Sequence, residues 1–322
     1  MAFDARPYLK ELARGERGAR DLSREQARTL FEAVFSGEVE GVALGALLVA
    51  LRVKGESLDE LAGMMDALTT HVRPMRMPSH RALACVIPSY NGSRKLPNMV
   101  PLLALLIARE GVPVLVHGAP QEPARVGTLE ILELLGHKAV TTIGEAEAAL
   151  DGRQFAAAPV EVLSPDLARL LDVRLATGVR NSGHTLAKLL VPQGAASHAS
   201  RLVSVTHPEF MKLMREYFAQ SPANAFLMRG VEGEPVVRLR EPQPLEEIKA
   251  DGTTMTHLIT EGDLGYDLPG REAEATAAWT RAVLAGDIAA PVALARQAAL
   301  VIDHCRRQGA AGRQPLRLVS SK

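Results

Sequence analysis

Apolar positions recur every three or four residues through about the first 78 positions, then give way to short apolar runs set between helical stretches. Ser23-Arg24-Glu25-Gln26 has the form of a capping box and predicts a helix that stops at Gly37. Val42–Val53 reads as an apolar helix ended by Gly55. Ser57-Leu58-Asp59-Glu60 is a second capping box, opening a helix to about His71. Leu44, Leu47, Leu48 and Leu51, with Leu61, Met64, Met65 and Leu68, form faces wider than three helices can bury on themselves. They need either the rest of the chain or a second subunit. Arg73–Pro78 is a proline-marked connector, so the chain divides into a helical domain, 1–78, and a second domain, 79–322.

From Ala82 the period changes. Predicted strands Ala82–Ile87, Val112–Val116, Ala139–Ile143, Leu202–Thr206 and Ala225–Met228 alternate with predicted helices Asn98–Glu110, Thr128–Leu135, Glu145–Leu150 and Pro208–Phe218. Val236–Leu239 and Thr256–Ile259 read as further strands, and helices Arg271–Leu284 and Pro291–Arg307 follow. That alternation predicts an α/β fold, a mostly parallel sheet covered by helices, beside the small all-helical domain.

Lys+Arg and Asp+Glu both number 37, so any binding of a polyanion requires cations segregated onto one face. Cys85 and Cys305 lie in apolar runs and read as buried thiols. No secretory signal and no membrane span are expected, which makes a cytoplasmic protein the expectation. The basic tail residues Arg306, Arg307, Arg313, Arg317 and Lys322 read as a solvated end. Nucleotide-loop and metalloprotease signatures are absent, as is the nucleophile-elbow pattern.

Candidate chemistry gathers at the strand-to-helix turns. Val86-Ile87-Pro88-Ser89-Tyr90-Asn91-Gly92-Ser93-Arg94-Lys95 runs from a strand into a turn with two adjacent cations, where backbone N–H groups can face an anion. A surface turn with two solvated cations fits the same spacing. Val116-His117-Gly118-Ala119-Pro120 repeats the arrangement, with His117 at a strand's carboxyl end either facing a ligand or satisfying local backbone. Arg125 lies in a polar loop. In the stretch from Arg174 to Lys188, a helix past Gly183 sets His184 and Lys188 on one face, as an anion site or as a solvated cationic side. Arg52 and Lys54 end a helix, where the dipole favours cations without any ligand.

Leu51-Arg52-Val53-Lys54-Gly55-Glu56, the two strand-to-helix turns and Gly178-Val179-Arg180 resemble the anthranilate phosphoribosyltransferase family (glycosyltransferase family 3) across nearly the whole chain. The resemblance implies a homodimer built through the helical domain, joined by helices near 165–190. It also implies that the signatures have changed. The family's diphosphate loop, G-T-G-G-D, falls on Pro88-Ser89-Tyr90-Asn91-Gly92, and its K-H-G-N-R turn on Val116–Pro120. Its Asp-Glu magnesium pair falls on Pro235-Val236, while two arginines of the acceptor site survive as Arg174 and Arg180. Ala19–Leu22, Ile87–Gly92, Val116–Gly118, Gly178–Leu189 and Ser204–Glu209 resemble more closely the divergent, YbiB-like DNA-binding branch.

That branch implies binding of DNA, with RNA as a second candidate, without sequence preference, along a groove crossing the dimer. The implied groove cations are Arg14, Arg20, Arg52, Lys54, Arg94, Lys95, Arg125, Arg180 and Lys188. A vestigial substrate cleft is implied at Ser89, Asn91, Gly92, His117, Gly118 and Arg174, with no catalytic residue, metal or cofactor. With few aromatic residues, binding is expected to run through phosphates. The alternative is an active anthranilate phosphoribosyltransferase, or a related glycosyl- or phosphoribosyl-transferring enzyme, using magnesium with phosphoribosyl diphosphate.

Overall fold

The computed structural model describes residues 3–15, 17–78, 82–119, 124–260 and 267–311. Pro120 and the tail cations Arg313, Arg317 and Lys322 lie outside the described residues. Four helices come first: α1 (Arg6–Leu12), α2 (Arg24–Phe35), α3 (Gly41–Lys54) and α4 (Leu58–Thr70). Then follow β1 (Ala84–Ser89), α5 (Val100–Arg109), β2 (Val114–Gly118), α6 (Thr128–Leu134), α7 (Ile143–Arg153), β3 (Phe155–Pro159), α8 (Val160–Leu163), α9 (Pro165–Thr177) and α10 (Ser182–Leu189). β4 (Ala199–Val205), α11 (Pro208–Gln220), β5 (Ala225–Arg229), β6 (Gln243–Ile248), β7 (Thr254–Ile259), α12 (Ala273–Ala285) and α13 (Val292–Ala311) complete the order.

The two capping boxes form as the sequence predicts. Ser23 Oγ accepts from Gln26 N at 3.3 Å, and Ser57 Oγ from Glu60 N at 3.2 Å, with each partner side chain reaching back to the cap's own N–H. No described helix is long and apolar enough to cross a membrane.

The sheet has seven strands in the order β3-β2-β1-β4-β5-β6-β7. β3 through β5 of that order are parallel, and β6 and β7 add an antiparallel edge. Alternate residues of the inner strands feed two cores. Ala84, Val86, Leu115, Val203 and Leu227 face one; Cys85, Ile87, Val116, Leu202 and Phe226 face the other. The first core continues without a break into Leu30, Phe31, Leu47, Leu61 and Leu68 of the N-terminal helices. α10 and α11 bridge those helices to the sheet, and α9 packs against α2 and α10. The second core lies under α5, α12 and α13. Both thiols are buried there and unpaired.

Two strand expectations differ from the structure, and β3 and β6 form where no strand is expected. Ala139–Ile143 is not a strand: Val140 N reaches Ala157 O at 2.8 Å from outside the ladder, and the third strand is the alanine-rich Phe155–Pro159 that follows α7. Val236–Leu239 is connecting chain, buried at Val236 and Val237, with Val237 N held by Gln297 Oε1 at 3.0 Å. The strand in that region is β6, whose buried Glu246 and Glu247 are paired by Arg215 and by His257 and His304.

Candidate functional site

β1 leads outward to β2 and β3 on one side, while β4 and β5 lie on the other, so the strand order reverses between β1 and β4. Ligand crevices of open α/β sheets form at the carboxyl ends of strands at such a point. Two loops meet there: 89–96 after β1, and 230–235 after β5.

The first loop is a concave run of donors, turned by Gly92 at φ 60°. All of its converging donors end on two carboxylates of the second loop. Asn91 N and Gly92 N donate to Glu234 Oε1 at 2.7 and 2.6 Å, and Ser89 Oγ donates to Oε2 at 2.5 Å. Arg94 N, Lys95 N and Leu96 N donate to Glu232 Oε2 at 2.8, 3.1 and 3.3 Å. Burial alone would raise the Glu232 pKa, but those three N–H groups and nearby Arg125 hold it below its ordinary value. Glu234 is buried more deeply. Its desolvation wins over Ser89, Asn91 N, Gly92 N and Lys188, and its pKa is raised.

Cations fasten the same loops by their carbonyls. Lys188 Nζ donates to Ser204 O at 2.5 Å and Gly233 O at 3.1 Å; its burial, only partly offset by Glu234, brings its pKa down to about 8. Arg180 donates to Tyr90 O at 3.1 Å and to Asn91 Oδ1. Arg125 donates to Gly92 O at 3.1 Å, and Arg271 to Arg94 O at 2.8 Å.

Two clefts flank the first loop. One, of about 690 Å³, is lined by Arg52, Asn91, Arg180, His184, Lys188 and Phe210 among others. The other, of about 550 Å³, is lined by Ser93, Arg94, Arg125, Arg271 and Glu272 with their neighbours. Arg52, Arg94 and Lys95 are exposed, and none of their side chains is hydrogen-bonded among the described residues. The remaining predicted cations are placed differently. Lys54 Nζ is bound to Asp21 at 2.6 Å and to buried Glu60 at 2.7 Å. Arg14 pairs with Glu11, and Arg20 reaches the same carboxylate at 3.8 Å; both are exposed on the helical layer.

His117 and Gly118 do not line the cleft. His117 is fully buried: Nε2 donates to Leu190 O at 3.2 Å, so Nδ1 accepts from Tyr90 Oη at 2.7 Å. Burial lowers its pKa to about 3, leaving a neutral imidazole that locks β2 to the loop. Gly118 is an interior contact as well, since a Cβ there would stand 2.1 Å from Ser89 O. His184 does line the first cleft. Its pKa is also lowered to about 3, by burial first and then by Arg180 and Arg174. Arg174 is half-buried near the end of α9.

Sequence reasoning missed Glu232, Glu234, Tyr90 and Arg271. The glutamates lie about 140 residues from the loop they fill, and only the glycines around them hint at a tight turn. Pro235 and Val236 are buried and offer no ligating side-chain atom, and the flanking carboxylates are already spent on N–H donors. Among the described residues no group of three or more His, Cys, Asp or Glu could hold a metal ion. These residues do not fit a magnesium site.

A glycosyl transferase family helical bundle domain model matches residues 6–72. The chain is 39% identical over 298 residues to the uncharacterized protein YbiB of Escherichia coli (strain K12), covering 92% of this chain and 93% of that one. It is 29% identical over 278 residues to anthranilate phosphoribosyltransferase of Thermus thermophilus, 84% of this chain and 82% of the enzyme. The crystal structure of anthranilate phosphoribosyltransferase from Thermus thermophilus superposes with a TM-score of 0.72 at 25% identity, covering 94% of this chain and 95% of the other. The Saccharomyces cerevisiae enzyme in complex with PRPP and Mg shares the fold, with a TM-score of 0.69 at 15% identity over 95% of this chain and 93% of that one.

Proposed function

The chain belongs to the anthranilate phosphoribosyltransferase-like proteins of glycosyltransferase family 3, the family that also holds YbiB, and on that premise we propose that it binds nucleic acid without sequence preference. DNA is the favoured polymer and RNA the second. The observation that carries this reading is the rim of exposed cations. Arg94 and Lys95 project into solvent from a loop whose backbone is tied down behind them, with exposed Arg52 at one cleft; Arg125 and Arg271 at the other are engaged with Gly92 O and Arg94 O. In a chain of zero formal charge such grouping is a segregated patch. Fixed backbone beneath the cations reduces the ordering cost of binding a phosphate. Nearby Glu56, Glu209 and Glu272 dilute the patch, so affinity is modest. No metal or cofactor is needed for such binding.

The same reading includes a homodimer. Val42, Ala46, Val49 and Val53 form an exposed apolar stripe on α3, and Leu175 and Val179 are exposed at the end of α9. A second copy of this surface is the natural cover, since a self-complementary patch closes as a two-fold pair. Phosphoribosyl transfer is disfavoured by the filled donor loop and by Pro235 and Val236 in place of metal-binding carboxylates.

Fluorescence anisotropy with labelled single- and double-stranded DNA, at about 50 and about 150 mM salt, tests the proposal. Saturable binding that weakens steeply with salt and ignores base sequence is the expected result. Absence of binding at the lower salt overturns it.

A further inference from the structure

We propose that loop 89–96 is an anion receptor whose ligand is built into the chain: the Glu232 and Glu234 carboxylates occupy the donors that a diphosphate-sized anion would take, and close the cleft to free phosphorylated ligands. The inference stands on the loop geometry and is independent of nucleic-acid binding.

Five backbone N–H groups and one hydroxyl of this loop point to one side, and each ends on one of the two carboxylates. Ser89 Oγ, Asn91 N and Gly92 N are buried, and leaving those three unpaired would cost about 1–3 kcal/mol apiece, so something must fill the inner end of the concavity. What fills it is two carboxyl groups whose four oxygens stand where an anion's oxygens would. An incoming anion would have to expel both carboxylates or be repelled by them.

The plug is seated by features of its own. Glu232 sits at φ 52°, a conformation that costs a side-chain-bearing residue energy. Gly230 and Gly233 permit the close approach. A Cβ at Gly230 would stand 2.1 Å from Glu234 O, and one at Gly233 would stand 1.5 Å from Asn91 Nδ2. Asn91 Nδ2 donates to Glu232 O at 2.9 Å, while Lys188 Nζ and Ser204 Oγ both hold Gly233 O, at 3.1 and 2.6 Å. Two glycines, a strained glutamate and three clamping side chains serve a single arrangement. The plug also ties back the N–H groups of Arg94 and Lys95, whose side chains are exposed on the rim.

Inorganic pyrophosphate is the probe. By isothermal titration calorimetry the wild-type protein should show no binding to about 1 mM, a weak-ligand limit. The double variant Glu232→Gln/Glu234→Gln should bind pyrophosphate at least about tenfold more tightly than wild type, a shift of about 1.4 kcal/mol. Gly233→Ala, which lifts the plug against Asn91 and leaves every charge in place, should show a gain of the same sign. Pyrophosphate binding to wild type as tight as to these variants overturns the proposal, and so does failure of either folded variant to gain it. Hydrogen exchange on the wild type needs no variant: the amides of Asn91, Gly92, Arg94, Lys95 and Leu96 should be protected without ligand, and free exchange there contradicts a seated plug. A protein that fails to bind DNA but passes these tests loses only the nucleic-acid reading.

Discussion

Lys188 and Lys95 border the same loop with the same side-chain chemistry, yet their ammonium groups go opposite ways. Lys188, on the inner wall, donates to Ser204 O and Gly233 O; Lys95, on the rim, is tied only by its backbone N–H to Glu232 and leaves its side chain exposed. Arg180 sides with Lys188, and Arg94 with Lys95. The difference shows that a cation near a cleft is not thereby a ligand contact. Wall cations hold together two loops that would otherwise leave carbonyls bare, whereas rim cations have nothing of the chain's own to hold.

Truncating a wall cation should have the largest effect. Lys188→Ala strips a donor from two carbonyls at a cost of about 1–3 kcal/mol, a fall of about 2–8 °C in Tm by calorimetry. Arg94→Ala/Lys95→Ala should leave Tm within about 1 °C, because exposed substitutions change little. Equal losses for the two variants would dissolve the distinction.

Separating the copies tests the rim from another direction. Val42→Asp/Val53→Asp leaves both sets of cations in place and should give a monomer by light scattering, with DNA affinity lower by at least about tenfold once the paired sites no longer act together. A dimeric mass for this variant places the interface elsewhere.

Mild acid sharpens the comparison further. The folded pKa of Glu232 lies below its ordinary 4.5, so the stability it contributes is fully present above that value and is lost as pH falls through the folded one. Glu232→Gln should therefore flatten the acid limb of a Tm-against-pH curve below 4.5, an effect that thermal melts across that range would read directly. The smallest expected change concerns alkali. Lys188 loses its proton at about 8, but its Nζ is turned to internal carbonyls, so DNA affinity between pH 7 and 9 should change less than about twofold. A drop of tenfold would move Lys188 to the rim.

Much of the fold is legible in the chain because its signals are local. Ser23 and Ser57 announce their helices within four residues, and the strands around Val86, Val203 and Leu227 are apolar runs buried on both faces. β3 escapes that reading because Phe-Ala-Ala-Ala-Pro carries helix-forming residues directly after a helix, and β6 because two glutamates and a proline disguise it. The donor loop is visible from strand, glycine and cations alone. Its plug is not, since no spacing rule ties Glu234 to Asn91 across 143 positions. The positions that the resemblance assigns to magnesium, Pro235 and Val236, draw attention to absent carboxylates, while Glu232 and Glu234 just before them accept from the donor loop.

The most direct test is the salt dependence of DNA binding by Arg94→Ala/Lys95→Ala beside wild type, from anisotropy titrations at several salt concentrations. If these two side chains each contact a phosphate, the slope of log affinity against log salt should shrink by about 1.8, with weakening equal across sequences. An unchanged slope in the folded variant would contradict the rim as the nucleic-acid interface.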